Sequence, residues 1–173
     1  MESRTEQSQK GPEYSVVAPV YNESENLREL HRRLTDFFRK LTGAYELIFV
    51  DDGSRDASFQ VLSELRKSDA HVRIVKFSRN FGHHIAITAG LDHARGEFVV
   101  LMDADLQDQP EEISLLLDKC REGYDIVYGI RKVREDPWLK KLVSKLFLAF
   151  MNRMGGTEVQ LNSCVFRVMR RNV

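Results

Sequence analysis

Cysteine is scarce in this sequence: only Cys120 and Cys164 occur, far apart and with no CxxC or Cys/His pairing. That excludes a disulfide-stapled scaffold and a zinc ribbon, and leaves buried thiols in a reducing compartment as the expectation. Net charge is missing too. Lys and Arg number 26, as do Asp and Glu, so the overall field gives no reason to expect nucleic acid as a partner. No window reaches the roughly 18–20 apolar residues of a membrane-spanning helix, and the polar opening MESRTEQSQKGPE has no apolar signal-peptide core. The chain as given is therefore expected to be cytosolic or peripheral to a membrane. Neither GxGxxG nor GxxxxGKS/T occurs, which removes the usual glycine-rich phosphate loops, so any phosphate must be held by metal and basic side chains.

What is present is the composition of one soluble domain able to bury a core, 42% hydrophobic and 30% charged over 173 residues. Residues 1–13 are expected to be a disordered arm and 14–173 a single domain. YSVVAPV (Tyr14 to Val20) reads as a β-strand, followed by SENLRELHRRLTDFFRKL with Leu27, Leu30, Leu34, Phe37, Phe38 and Leu41 at helical spacing. The unit recurs as YELIFV then DASFQVLSELRKS, VRIVKF then HIAITAGLDHA, and EFVVLM then PEEISLLLDKCREG, before a last strand, YDIVYG. Five strands alternating with four helices predict an α/β fold, a mostly parallel sheet with helices on both faces.

In open sheets of this kind ligands collect where strands end, so the residues just after each strand are the first suspects. VVLMDADLQDQPEE, Val99 to Glu112, passes from apolar to acidic within one residue. Asp103 and Asp105 flank Ala104 at the strand end, where both carboxylates can turn toward one point. A hard cation such as Mg²⁺ or Mn²⁺ takes one or two carboxylates plus substrate phosphate oxygens. Gln107 can add an amide oxygen, whereas Asp108, Glu111 and Glu112 read as acids of a helix start marked by Pro110.

VDDGSRD repeats the device after the second strand. Gly53 permits a turn and Ser54 or Asp56 caps the next helix, while one of Asp51 and Asp52 either accepts hydrogen bonds from a nucleoside or serves the turn. PVYNE after the first strand offers Tyr21 to pack on a base or ribose and Asn22 as an acceptor; Glu23 and Glu25 serve equally as acids of the first helical turn. Phosphate contacts are expected from SRNFGHH (Arg79, His83, His84) and from Arg131, Lys132 and Arg134 after the fifth strand, with Arg79 and Arg131 foremost. PWLKKLVSKLFLAFMNRM (Pro137 to Met154) interleaves Lys140, Lys141, Lys145 and Arg153 with apolar residues. It reads either as a helix lying in a membrane interface or as one covering the sheet.

In this order and spacing, PVYNE, VDDGSRD, SRNFGHHIAITAGLDHARGEFVVLMDADLQDQPEE and YGIRKVRE resemble the family 2 glycosyltransferases. They are most similar to the polyprenyl-phosphate sugar transferases, the group of dolichol-phosphate mannose synthase and bactoprenol glucosyltransferase. The resemblance implies a GT-A fold and inverting transfer of a sugar from a UDP- or GDP-type donor to a polyprenyl phosphate at the cytoplasmic membrane face. By matching motif position, Pro19, Tyr21 and Glu23 would hold the base and Val50, Asp51 and Asp52 the nucleoside. Asp103, Ala104, Asp105 and Gln107 would sit at the metal, Mg²⁺ or Mn²⁺, and the diphosphate, with Arg131 on phosphate. Asp105, Asp103 and Arg131 are the expected catalytic residues. The implied partners are the nucleotide sugar, the lipid phosphate and the membrane surface, not nucleic acid; a homo-oligomer is left open.

Relatives of this kind often place an acid just before a segment like FRVM; here NSCVFRVMRRNV has Val165 at that place, with Arg167 and Arg170 left as phosphate contacts. Ending at Val173, the chain reads as a fragment of a longer, membrane-anchored enzyme. The competing readings are a glycosyltransferase acting on a polysaccharide or glycolipid, a sugar nucleotidyltransferase and a phospho-receiver module. The nucleotidyltransferase lacks its glycine-rich loop, and the receiver would need its acid pair after the first strand.

Overall fold

A computed structural model describes residues 11–130 and 163–173. Four strands and three helices alternate from the start: β1 Tyr14–Val20, α1 Leu27–Phe38, β2 Tyr45–Asp51, α2 Ser58–Ser68, β3 Val72–Lys76, α3 His83–His93 and β4 Phe98–Leu101. A single 3₁₀ turn, Pro110–Glu112, leads into α4 Ile113–Arg121, then β5 Ile126–Ile130; β6 is Ser163–Arg170. The strands form one sheet in the order β3-β2-β1-β4-β6-β5.

β1 is buried at all seven positions, as expected of a strand covered on both faces. It pairs in parallel with β2 along its whole length but with β4 only from Tyr14 to Val17. Pro19, which has no N–H to give, falls beyond the β4 pairing, where no donor is required on that side. β1 and β4 therefore part at their carboxyl ends. This is also where the strand order reverses, since β2 and β3 extend to one side and β4 to the other. Such a switch point is where open α/β sheets bind ligands.

The two faces have separate cores. Val16, Ala18 and Val20 pack with Leu27, Leu30, Leu34 and Phe38 of α1, Val61 and Leu62 of α2, and Ile113 and Leu117 of α4. Val17, Ile48 and Val50 face the other way, against Ala86 and Ile87 of α3. Each fully buried Leu, Val or Phe among them contributes roughly 1.5–3 kcal/mol relative to exposure. α3 lies close against the sheet: a Cβ on Gly90 would stand 2.2 Å from Val17 Cγ1, so only glycine fits there without displacing the strand.

β6 is the departure from the expected five-strand pattern. Residues 163–170, which carry the expected phosphate contacts Arg167 and Arg170, insert antiparallel between β4 and β5, pairing Phe98 with Arg170 and Ile126 with Met169. Val165 packs against the α3-side core, and Phe166 and Val168 enter the opposite one. Two antiparallel pairings thus join three parallel ones, and the sheet remains mostly parallel with helices on both faces. Cys120 is buried as expected. The interfacial or sheet-covering helix expected at 137–154 lies outside the described residues, as do residues 1–10 of the expected arm. Glu13, the last residue of that arm, donates its N–H to Ala44 O at 2.7 Å. Among the described residues no helix is long and apolar enough to cross a membrane.

Candidate active site

Where β1 and β4 part, a cavity of about 410 Å³ opens, lined by Pro19, Val20, Tyr21, Glu23, Asp52, Asn80, Gly82, His83, Ala86, Asp103, Ala104 and Asp105. The ends of β1, β2 and β4 and the start of α3 all contribute to it.

The β1 side is fixed by an exchange of hydrogen bonds between two loops. Asn22, at φ 59°, accepts from Arg55 N at 2.8 Å and donates its own N–H to Ser54 Oγ at 3.1 Å. Glu23 N–H donates to Ser58 Oγ at 2.9 Å, and Ser24 N–H to Asp56 Oδ2 at 3.1 Å. Asp56 Oδ1 also accepts from Ser58 N at 2.9 Å. Partial burial pushes the Asp56 carboxyl up, but the hydrogen bonds from Ser58 and Ser24 outweigh it and hold its pKa at about 2. Ser54 and Asp56, expected as alternative helix caps, thus tie the loop before α2 to the loop before α1. Glu23 and Glu25 precede α1 and are not acids of its first turn. Glu23 instead lines the cavity and accepts from Asn26 Nδ2 at 2.7 Å, while Tyr21 stands 41% exposed at the rim.

The two adjacent aspartates after β2 divide their duties. Asp51 is fully buried: Oδ1 accepts from Ser54 N at 3.0 Å, and Oδ2 is buried with no hydrogen-bond partner among the described residues. Asp52 lines the cavity, yet its two oxygens accept from consecutive amides of the loop before α3, Phe81 N at 2.7 Å and Gly82 N at 3.0 Å. Gly53 lies against the same loop. It has φ 68°, and a Cβ there would come within 2.3 Å of Arg79 C, so both conformation and space call for glycine.

On the β4 side, Asp103 and Asp105 reach the cavity while Ala104 between them is buried in the core. Asp105 Oδ1 accepts from Gln107 N at 3.0 Å, closing a turn that carries Leu106 at φ 61°. His83 Nε2 approaches Asp103 Oδ1 to 3.5 Å. Glu23, Asp52, Asp103 and Asp105 are all acids, and among the described residues His83 is the one lining residue able to carry positive charge. Carboxylate oxygens such as those of Asp103 and Asp105 on the cavity wall are the donors a hard divalent ion takes. Among the described residues no three His, Cys, Asp or Glu side chains are grouped so that they could hold a metal ion, so an ion at the Asp103/Asp105 pair would need donors from outside this set.

The structure brings together Pro19, Tyr21, Glu23, Asp52, Asp103, Ala104 and Asp105 of the expected site. Others stand elsewhere. Val50 is buried in the α3-side core and does not line the cavity, because the alternation that sends Asp51 one way sends Val50 toward α3. Gln107 is exposed beside the cavity without lining it. Asp108, read as an acid of the helix start, is 5% exposed. Arg79 stacks its guanidinium 4.1 Å over the Phe81 ring and lines no part of the cavity. Arg170, expected on phosphate, pairs with Phe98 at the far end of β4 and donates to Cys120 O at 3.0 Å. Arg131, Lys132 and Arg134 lie outside the described residues. Sequence reasoning passed over Asn80, Gly82 and Ala86, although the glycine of NFG at a loop-to-helix junction was a usable sign.

The match to the family model for glycosyl transferase family 2 runs over residues 15–173, and the chain belongs to that family. It is 43% identical over 162 residues to an uncharacterized glycosyltransferase, YkcC, of Bacillus subtilis (strain 168), covering 93% of this chain and 50% of that protein. The chain spans about half the length of the curated relatives it matches. Among solved structures it resembles glucosyl-3-phosphoglycerate synthase of Mycobacterium tuberculosis in complex with Mn²⁺, UDP and glucosyl-3-phosphoglycerate. There the TM-score is 0.63 at 23% identity, over 94% of this chain and 58% of that one. It also resembles the mannosyltransferase PcManGT of Pyrobaculum calidifontis in complex with GDP-Man and Mn²⁺, with TM-score 0.63 at 18% identity, over 93% of this chain and 45% of that one. The fold is GT-A.

Proposed function

We propose that this domain transfers a sugar, with inversion, from a UDP- or GDP-type donor to a polyprenyl phosphate at the cytoplasmic face of a membrane, with Mg²⁺ or Mn²⁺ as cofactor. The observation that carries the reading is the cavity itself. An exposed aromatic and an acid from the end of β1 stand at one side, and the Asp103/Asp105 pair from the end of β4 at the other, within about 410 Å³. Two related folds hold UDP or GDP-Man together with Mn²⁺, which supports placing a nucleotide and a cation here; the motif resemblance supports the lipid phosphate.

Pro19, Tyr21 and Glu23 would hold the base, with Tyr21 offering a ring face at the rim. Asp103 and Asp105 would hold the cation, whose contribution when bound is to neutralise negative charge developing on the departing nucleotide. Asp52 keeps the loop at Phe81 and Gly82 against the cavity wall, and Arg131 would steady a phosphate. The acceptor phosphate is already anionic near neutral pH, so no strong general base is needed, in keeping with a valine at position 165. Positioning the two reactants is the larger share of the task.

Calorimetric titration of UDP and GDP with Mn²⁺ and then with chelator, followed by a transfer assay on short-chain polyprenyl phosphate, tests the reading. Metal-dependent binding of one nucleotide and sugar transfer to the lipid phosphate are expected. Nucleotide binding with transfer only to a polysaccharide or glycolipid would move the acceptor. Absence of binding by either nucleotide would overturn the proposal.

A further inference from the structure

A second cavity, of about 720 Å³, opens at the other end of the sheet, with Glu13, Arg95, Glu97, Arg170, Arg171 and Asn172 in its wall. Glu13 precedes β1, Arg95 and Glu97 precede β4, Arg170 ends β6 and Arg171 follows it. Because β6 runs antiparallel to β4, with Arg170 opposite Phe98, these residues gather at the amino end of β4, whereas Asp103 and Asp105 follow its carboxyl end. Three guanidinium groups meet two carboxylates in this wall.

Two of the three guanidinium groups are held from behind. Arg95 donates Nε and Nη2 to Glu46 Oε2, at 3.2 and 2.9 Å. A planar guanidinium bonded along that edge turns Nη1 away from the acid, and the side chain is still 61% exposed. Glu46 is shared with Arg73, so its charge does not cancel both arginines. Arg170 donates Nη2 to Cys120 O at 3.0 Å and stands 5.3 Å from the centre of the Phe98 ring, while its Nη1 reaches Glu97 Oε1 only to 3.5 Å. Glu13 accepts from the Tyr14 hydroxyl and lies 4.0 Å from Arg121, outside the wall. Arg171 is anchored by its main chain, whose N–H donates to Glu97 O at 2.9 Å. Its exposed side chain has no hydrogen bond or ion pair among the described residues. Structural ties account for Arg95 and Arg170, and they do not account for Arg171.

We propose that this cavity binds a phosphate monoester group, with Arg171 as the ligand that closes on it and Arg95 and Arg170 as charges already in place. A phosphate accepts several N–H donors at once and carries close to two charges, more than a carboxylate does. Because two of the three guanidinium groups are fixed beforehand, little side-chain freedom is lost on binding. The cavity is larger than a phosphate needs, so the group belongs to a larger molecule, a small phosphorylated solute or a phospholipid head. The site calls for neither nucleotide nor cation, and it stands whether or not the function proposed above does.

Calorimetric titration of inorganic phosphate, with chelator, without nucleotide and at low ionic strength where charge attraction is least screened, reads this site apart from the other cavity. Wild type is expected to bind phosphate and Arg171→Ala to bind it about tenfold more weakly, with an unchanged urea midpoint. Arg28→Ala removes the same charge from an exposed position on α1 and should change binding by less than about twofold. Glu97→Gln removes a competing carboxylate and should tighten binding about threefold, a gain that a merely structural Arg171 would not give. Pelleting with phosphatidylcholine vesicles, with and without phosphatidic acid, separates the two sources. Pelleting that needs both phosphatidic acid and Arg171 assigns the lipid head, and phosphate binding without it assigns the solute. No binding of phosphate and no pelleting, or equal losses in Arg171→Ala and Arg28→Ala, would overturn the inference.

Discussion

β2 carries a carboxylate near each end, and the two ends of the sheet use their acids differently. At the amino end, Glu46 is buried and bonded on both oxygens. Oε1 accepts from Ser15 Oγ at 2.7 Å and Arg95 N at 2.8 Å, and Oε2 from Arg73 Nη1 at 2.7 Å and Arg95 Nη2 at 2.9 Å. Burial pushes its carboxyl up, but the bonds from Arg95, Ser15 and Arg73 win and hold it below the ordinary range. At the carboxyl end, Asp103 and Asp105 sit part-exposed on a cavity, where among the described residues they share the lining with an imidazole and other acids and with no arginine. An acid surrounded by guanidinium groups is a structural tie. Acids gathered at a strand-order switch, with no arginine beside them among the described residues, are candidates for binding a ligand. The same residue type thus has opposite consequences at opposite ends of one sheet.

The largest effect should come at the cavity end. Asp105→Asn is expected to lower sugar transfer by about 10²- to 10³-fold and to weaken Mn²⁺-dependent nucleotide binding, while its urea midpoint stays at the wild-type value. Calorimetry and an unfolding curve on the same sample check both halves. A variant equally destabilised and inactive would erase the contrast between the two ends. Glu46→Ala is the converse test. It leaves Arg73, Arg95 and the Ser15 hydroxyl without their shared acceptor, which should cost about 2–4 kcal/mol in urea unfolding. In the fraction that remains folded, nucleotide affinity should be unchanged.

How much of this was legible beforehand follows the same division. The strands and helices up to β5 were readable because their apolar spacing is local, as in Leu27, Leu30 and Leu34 on α1. β6 was not: its partners β4 and β5 are set by a non-local antiparallel insertion, and its arginines drew attention as phosphate contacts when Arg170 belongs to the opposite end. Within the site, chain position located the acids but not their partners. Nothing in VDDGSRD says that Val50 turns into the core, or that Asp52 spends both oxygens on the amides of Phe81 and Gly82. Those facts depend on where α3 is seated, which Gly90 and Val17 decide together.

Gly53→Ala tests whether the cavity end also has its own structural ties. Its positive φ and the approach to Arg79 C predict a loss of about 1–3 kcal/mol. Because the strain falls on the loop held by Asp52, nucleotide binding in the presence of Mn²⁺ should weaken as well. Unfolding and calorimetry together separate this from Glu46→Ala, where only the first should change.

The smallest effect belongs to Asp56, a structural acid on the functional end, bonded on both oxygens like Glu46 but exposed. Its carboxyl is held at about 2 against an ordinary 3.8. A depressed folded-state pKa means that the ionised form is favoured by folding, so its contribution is complete above about pH 4 and disappears as pH falls through about 2. Solvent screening keeps that contribution under about 1 kcal/mol. Stability measured from pH 6 to 2 should therefore show wild type and Asp56→Asn separated by a constant small margin above pH 4 and converging below it. Since Asp56 holds the Ser24 amide beside Glu23, the variant should also loosen the Glu23 side of the cavity, weakening nucleotide binding by less than about threefold. A margin that persists at pH 2 would mean that the Asp56 side chain acts through packing, and this acid would then belong with neither end.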